Sequence, residues 1–93
     1  MVIEIDNTNS GIDFIDDARL RLGTANDLQI YHNGSHGFVT NSTGNFEITS
    51  TGSLILQDAN SLKWMMTNQG GSVLLYYNGT SKLTTTNTGV TVT

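Results

Sequence analysis

Apolar and polar residues alternate over short stretches of this chain, and a turn signal precedes many of the stretches. A Ser/Thr-Gly pair leads into such alternation four times: SGIDFI (10–15), TGNFEI (43–48), TGSLIL (51–56) and TGVTVT (88–93). Period-two alternation predicts a strand with one buried face. Glycine supplies the positive φ that a chain reversal ahead of the strand requires. Each unit is therefore predicted to be a turn followed by a short strand.

Further stretches of the same kind predict additional strands: VIEID (2–6), RLRLG (19–23), DLQIY (27–31), SLKWM (61–65) and VLLYY (73–77). Many short strands separated by turn signals indicate an all-β architecture. The best helix candidate is 58–69, where Leu62, Met65 and Met66 have helical spacing. Its similarity to the LRLG stretch favours a strand there instead.

The chain contains an internal repeat. Residues 31–44 (YHNGSHGFVTNSTG) align without gaps to 76–89 (YYNGTSKLTTTNTG), an offset of 76 − 31 = 45 residues. Upstream, Leu28 and Ile30 fall on Val73 and Leu75 and are predicted to point inward, with Gln29 and Leu74 pointing the other way. Further back, Asp17-Ala18 corresponds loosely to Asp58-Ala59 if three or four residues are inserted.

This pattern predicts one repeat-built β domain over 1–93. It consists of a partial unit (1–16), repeat one (about 17–57) and repeat two (about 58–93). The positions expected to pack in the core or against other chains are Leu20, Leu22, Leu28, Ile30, Phe46, Ile48, Leu54, Leu56, Leu62, Trp64, Val73, Leu75, Val90 and Val92.

Two Asn-Gly pairs separate predicted strands, Asn33-Gly34 and Asn78-Gly79. Asn-Gly is the strongest short hairpin signal, because both central residues of a type I′ turn need φ > 0. Both pairs are therefore predicted to form tight turns. The full set of predicted turn residues is Asn33, Gly34, Gly44, Gly52, Asn78, Gly79 and Gly89.

Composition narrows the function classes. A 93-residue chain is marginal as an isolated domain, and the absence of cysteine excludes disulfides and zinc-thiolate sites as remedies. Four basic against eight acidic residues give a net charge of −4, which argues against nucleic acid and anionic membrane partners. No apolar run approaches the roughly 20 residues of a membrane span, and the start of the chain does not resemble a signal peptide. Oligomerisation is the remedy that remains.

Candidate chemistry is sparse. His32 and His36 bracket the first turn and could ligate a metal, but repeat two has Tyr77 and Ser81 in their places. Asp13, Asp16 and Asp17 lack the ligand spacing of a calcium loop. No nucleophile with an oriented base and no phosphate-binding loop is present, so we expect no enzymatic activity, metal or cofactor.

Other motifs have ordinary explanations. Three N-x-Ser/Thr sequons, at Asn33, Asn41 and Asn78, are expected by composition in a chain so rich in Asn, Ser and Thr. The aromatic residues best suited to stack on a sugar or anchor a partner are Tyr31, Trp64, Tyr76 and Tyr77. Tyr31 and Tyr76 are equivalent in the repeat, which favours a structural role.

At LRLGTANDLQIYHNGSHGFV, TGNFEIT, LLYYNGTSKL and TTNTGVTVT the sequence resembles repeats in tail-fibre and related structural proteins of tailed bacteriophages, especially marine and cyanobacterial ones. The resemblance runs from about Asp17 to Thr93. It is weaker in the first 16 residues and departs at MMTNQGGS (65–72), which is shorter and more apolar than the family pattern.

The resemblance implies an elongated, intertwined homotrimeric β-fibre of β-helix or β-prism type, built from short strands and tight Asn-Gly and Thr-Gly turns. It further implies a non-enzymatic shaft of the virion tail fibre, made in the host cytoplasm, which could also support binding to a host receptor. The alternatives are a carbohydrate-binding module that recognises host surface glycans, and a monomeric β-solenoid or small sandwich.

Overall fold

The computed structural model describes the backbone of residues 3–6 and all of residues 10–93. These residues form β-strands and connecting loops, with no helix among them. The predicted all-β class is therefore confirmed. The strands are β1 (Ile3–Asp6), β2 (Gly11–Phe14), β3 (Leu20–Leu22), β4 (Leu28–His32), β5 (Gly37–Asn41), β6 (Ile55–Gln57), β7 (Lys63–Thr67), β8 (Val73–Tyr77), β9 (Thr80–Thr86) and β10 (Gly89–Val92).

Consecutive strands pair antiparallel in three sheets. β1 and β2 form a two-stranded ribbon, β3-β4-β5 form a three-stranded meander, and β6-β7-β8-β9-β10 form a five-stranded meander. The chain divides into two compact units, Met1–Glu47 and Ile48–Thr93. Because β6 pairs with β7, the end of the stretch that the sequence assigns to repeat one lies with the strands of repeat two.

The strand pairing shows which residues of the two repeats are equivalent before the Asn-Gly turn. Leu20 lies opposite Ile30 in the first meander, and Met65 lies opposite Leu75 in the second. Leu20 and Met65 are 45 residues apart, and so are Ile30 and Leu75. The offset of 45 residues therefore extends back to β3 without an insertion. The predicted insertion, which placed Ala18 on Ala59, is therefore wrong: Leu20 matches Met65 rather than Leu62.

The two Asn-Gly pairs close different loops. In repeat two, Tyr77 pairs with Thr80, and Asn78 and Gly79 alone form the loop, with φ of 50° and 85°. This is the predicted type I′ geometry, since both φ values are positive. In repeat one the last pair is His32 with Gly37, so the loop has four residues, 33–36.

Asn33-Gly34 does not adopt type I′ geometry, because φ is positive at Gly34 but not at Asn33. The longer loop is closed by a backbone hydrogen bond from the Asn33 N–H to the His36 carbonyl (3.1 Å) and by side chains. Asn33 Oδ1 accepts the backbone N–H groups of Ser35 (2.9 Å) and His36 (2.8 Å). The N–H of Gly34, at φ 99°, donates to His32 Nδ1 (3.0 Å). Tyr77 occupies the position of His32 in repeat two and carries its only polar atom at the far end of the ring. It therefore offers the turn no equivalent acceptor.

The difference in loop length shifts the register beyond the turn. Ile30 lies opposite Val39, whereas the equivalent Leu75 lies opposite Leu83. The loop of repeat two is shorter by two residues. The β-bulge at Leu75 and Tyr76 adds one residue to β9, so a net difference of one residue remains. Past the turn the structural offset is therefore 83 − 39 = 44 residues, and the ungapped sequence alignment is wrong by one position there.

Residues 43–54 lie outside any strand, in contrast to the prediction for TGNFEI and for the first part of TGSLIL. Of the second motif only Ile55 and Leu56 lie in a strand, β6, which ends at Gln57. The corresponding motif of repeat two, TGVTVT, does form β10 and pairs with β9. The remaining predicted strands, including 61–65 in place of a helix, are present within one to three residues.

Almost no side chain is enclosed. Over residues 10–93, where side chains are described, Ala18 is the single buried hydrophobic residue, with 4% of its surface exposed. The predicted packing residues are half-buried or exposed without exception. Residues 10–93 therefore contain no enclosed core of the kind from which most domains draw their stability.

Candidate assembly face and aromatic stack

One face of the five-stranded sheet carries a continuous apolar row. Residues that lie directly opposite one another in neighbouring antiparallel strands point to the same side of the sheet. The pairing therefore places one apolar side chain from each strand in a single line: Leu56, Met65, Leu75, Leu83 and Val92. Leu75, at the centre of the row, is still 45% exposed, and Val92 at its end is 75% exposed.

A second line runs beside this row on the same face. Thr67 lies opposite Val73, and Thr85 lies opposite Val90. The Thr85 hydroxyl accepts the N–H of Val73 (2.8 Å), so its polar atom is already satisfied within the sheet. The face therefore presents methyl groups between the apolar side chains. We call this surface, formed by the five-residue row with Val73 and Val90, the assembly face.

The three-stranded sheet has the same face in shorter form. Leu20, Ile30 and Val39 form a row across its three strands. Leu22 and Leu28 are paired beside it. An apolar concavity on this unit is lined by Phe14, Ala18, Leu20, Ile30, Tyr31 and His32. The predicted inward positions Leu28, Ile30, Val73 and Leu75 thus share the apolar face of their sheets, as the repeat indicated.

Trp64 lies on the other face of its sheet. It precedes Met65 in β7, and successive strand residues point to opposite sides. Met65, rather than Trp64, therefore lies opposite Leu75. Trp64 is 58% exposed. Tyr76 follows Leu75 in β8 and therefore points to the same side as Trp64. Leu62, the other residue placed by the incorrect alignment, lies in the β6–β7 loop, where its Cδ2 would be 3.1 Å from a Cβ on Gly79.

An aromatic stack occupies the polar face of the three-stranded sheet. The ring of Tyr31 stacks on that of Phe38, with centroids 4.8 Å apart and planes at 18°. The guanidinium of Arg19 lies 3.8 Å from the Tyr31 centroid and donates a hydrogen bond to Gln29 Oε1 (2.8 Å). Because Arg19 precedes β3 and Phe38 lies in β5, they flank Tyr31 from its two sides.

The stack determines the role of Tyr31. Arg19 and Phe38 cover both faces of its ring, so a sugar has no free face on which to stack. The structural role expected from the repeat is favoured for Tyr31, while Trp64, Tyr76 and Tyr77 keep their predicted contact role. No role was predicted from the sequence for Arg19 or Phe38. The period-two alternation of their segments places both on the same face as Tyr31 and could have indicated the contact.

His32 and His36 do not form a metal site by themselves. His32 Nδ1 accepts a hydrogen bond from Gly34 and lies 3.6 Å from Asp16 Oδ1. The His36 ring packs edge-on to Phe38 at 6.5 Å. In the part of the chain that the structure describes, no three His, Cys, Asp or Glu side chains converge as metal ligands. Asp13, Asp16 and Asp17 likewise make no calcium cluster there, and Asp17 lies in a turn with φ 65°.

Comparison with known proteins adds no relative. No known family model matches the chain, and neither the curated proteins nor the solved structures give a match. Among the described residues no helix is long and apolar enough to cross a membrane.

Proposed function

We propose that the chain is a structural, non-enzymatic segment of a bacteriophage tail fibre, assembled as a homotrimer through its assembly face. The observation that supports the proposal is the uninterrupted apolar row across all five strands of the larger sheet, combined with a single buried residue, Ala18, among residues 10–93. The sequence resemblance to tail-fibre repeats supports the phage context and the number three. The role follows as that of a rigid shaft in the virion, which can also support receptor binding.

The energetics favour association. Burying a Val- or Leu-sized side chain stabilises a protein by about 1.5–3 kcal/mol relative to leaving it exposed. Leu56 and Leu75 are about half-exposed in the single chain and Val92 is 75% exposed, so these three retain much of this gain for an interface, whereas Met65 and Leu83 are already partly buried. Burying these side chains in an interface opposes the cost of association, which is of order 4–15 kcal/mol. Around a threefold axis the assembly face of each chain would be covered by the other two chains.

Light scattering coupled to size exclusion tests the proposal. The wild-type chain should elute at three times its 10.0 kDa mass. Val90→Asp places a carboxylate on the assembly face and should yield monomer, because the charge would have to be desolvated in the interface. Val90 is 60% exposed in the single chain, so the monomer itself should tolerate the change.

The matched control is Thr91→Asp. Thr91 follows Val90 in β10 and points to the opposite face. This variant should remain trimeric, with circular dichroism confirming β-structure in both. A wild-type chain that scatters as a 10.0 kDa monomer at all concentrations would refute the proposal.

Glycan binding is a second candidate, supported by two aromatic residues on the face opposite the assembly face. Trp64 and Tyr76 lie there in neighbouring strands β7 and β8. Aromatic rings on a rigid sheet suit stacking on sugars of the host cell surface. A glycan array with Trp64→Ala is the test: binding that is lost while the trimer persists would support this role, and an array without any bound glycan would refute it.

A further inference from the structure

The two repeats differ in whether their last segment pairs with the sheet. In repeat two, β9 turns at Asn87-Thr88 and β10 pairs back along its edge, with Val92 opposite Leu83. In repeat one, β5 lies at the edge of its sheet, and residues 45–48 form no strand pairing. Phe46 and Ile48 are 50% and 59% exposed.

The structural offset of 44 residues places 45–48 in register with β10. With this offset Val90 matches Phe46, Val92 matches Ile48 and Leu83 matches Val39. The ungapped offset of 45 would instead match Val92 with the charged Glu47. The apolar phase of the unpaired segment therefore fits the shifted register of its own sheet, although it does not fit the simple sequence alignment.

Pairing 45–48 with β5 in that register would complete the sheet on both faces. Ile48 would lie opposite Val39 and extend the row Leu20, Ile30, Val39 to four residues, equivalent to Met65, Leu75, Leu83 and Val92 of the five-residue row. Phe46 would lie opposite Asn41, beside Leu22 and Leu28. On the other face Glu47 would join the polar row of Arg21, Gln29 and Thr40.

The connection to this segment is tied away from the open edge of β5. The Ser42 N–H and hydroxyl both donate to the Asp27 carbonyl (2.9 and 3.3 Å), and the Thr43 hydroxyl donates to Asp27 Oδ1 (3.1 Å). Asp27 precedes β4, so these contacts hold the loop toward β4. A hairpin onto the free edge of β5 requires the opposite direction. In repeat two the residue at the Asp27 position is Ser72, which has no carboxylate, and there the hairpin closes.

We infer that residues 45–48 of one chain add to the β5 edge of a second chain, antiparallel and with Ile48 opposite Val39. The inference rests on the proposed homotrimer and names the strand exchanged within it. Strand exchange retains the pairing that a closed hairpin would make, and β9–β10 shows that pairing. It also covers an edge that would otherwise be open to nonspecific pairing.

Cysteine crosslinking tests the exchange, since the chain has no native cysteine. The variant Val39→Cys/Ile48→Cys, oxidised under native conditions, should form disulfides between chains, because directly opposed strand residues lie within disulfide range. Non-reducing gels should then show covalent multimers. The control Thr40→Cys/Ile48→Cys should form none, because Thr40 points to the other face.

Releasing the tether provides the second arm. Asp27→Ser, which copies repeat two, should move the Val39–Ile48 crosslink from between chains to within one chain. Crosslinks inside single chains in the presence of Asp27, or equal crosslinking at positions 39 and 40, would overturn the exchange. A trimer by light scattering without the Val39–Ile48 crosslink would overturn this inference and leave the proposed function standing, whereas a monomer would refute the proposed function itself.

Discussion

The guanidinium of Arg19 lies 3.8 Å from the centre of the Tyr31 ring, on the side of that ring opposite Phe38. This arrangement joins all three strands of the first meander through side chains on its polar face. In a chain with so little enclosed apolar surface, such a surface stack takes a larger share of the stability than it would in an ordinary domain.

Replacing Arg19 should therefore destabilise the first unit. Arg19→Met keeps the length of the side chain but loses the cation–π contact and the hydrogen bond to Gln29, at a cost of about 1 kcal/mol. The measurement is the free energy of urea unfolding, followed by tyrosine fluorescence. Arg21→Met makes the same charge change on an exposed β3 residue and is the control. Equal losses in the two variants would contradict a specific role for the stack.

The two turn asparagines should respond differently to glycine. Asn78 has φ 50° and should accept Asn78→Gly with little change, since glycine adopts positive φ without steric cost. Asn33→Gly removes the acceptor of two backbone N–H groups and should cost about 1 kcal/mol, the exposure of the loop limiting the loss. Urea midpoints of the two variants check this. The prediction fails if Asn78→Gly is the more destabilising of the two.

Ala18 should be far less tolerant of charge than Ala59, although the sequence aligns them. Ala18→Asp buries a carboxylate at the most enclosed position described and should cost about 2 kcal/mol or more. Ala59 is exposed in the β6–β7 loop, so Ala59→Asp should be nearly neutral. Thermal unfolding of both variants is the measurement, and similar melting temperatures would contradict the enclosure of Ala18.

Salt should strengthen the proposed trimer. Each chain carries a net charge of −4, so three chains bring together 3 × −4 = −12, and their repulsion is screened as ionic strength rises. The assembly face itself is apolar and loses nothing by this screening. Analytical ultracentrifugation at low and high NaCl should show the equilibrium moving toward trimer. Dissociation at high salt would indicate an interface held by ion pairs instead.

Much of the fold could be predicted from alternation, because period two defines both a strand and its apolar face. Alternation does not indicate which other strand a strand pairs with. TGNFEI and TGVTVT have the same pattern, yet only the second pairs within the described part of the chain. Ser42 and Thr43, at the start of the first, are instead hydrogen-bonded to Asp27.

The remaining errors come from small differences near a shared motif. Asn-Gly occurs in both hairpins, but the neighbouring residue is His32, an acceptor for the Gly34 N–H, in the four-residue loop and Tyr77 in the two-residue loop. Aligning Leu20 with Leu62 instead of Met65 shifts the alignment by three residues, and an odd shift inverts the side on which each strand residue lies. Such errors leave the predicted fold class unchanged, but they change which residues are predicted on each face of a sheet.

The bulge between Leu75 and Tyr76 also bears on how repeats of this kind can diverge. One extra residue in β9 is absorbed locally, and Leu75 still meets an apolar residue across the strand. An insertion or deletion near a turn can thus be accommodated within a few residues rather than passed along the chain. Chains built from such repeats could accordingly vary the length of their loops over time while the spacing of their strand pairs is preserved.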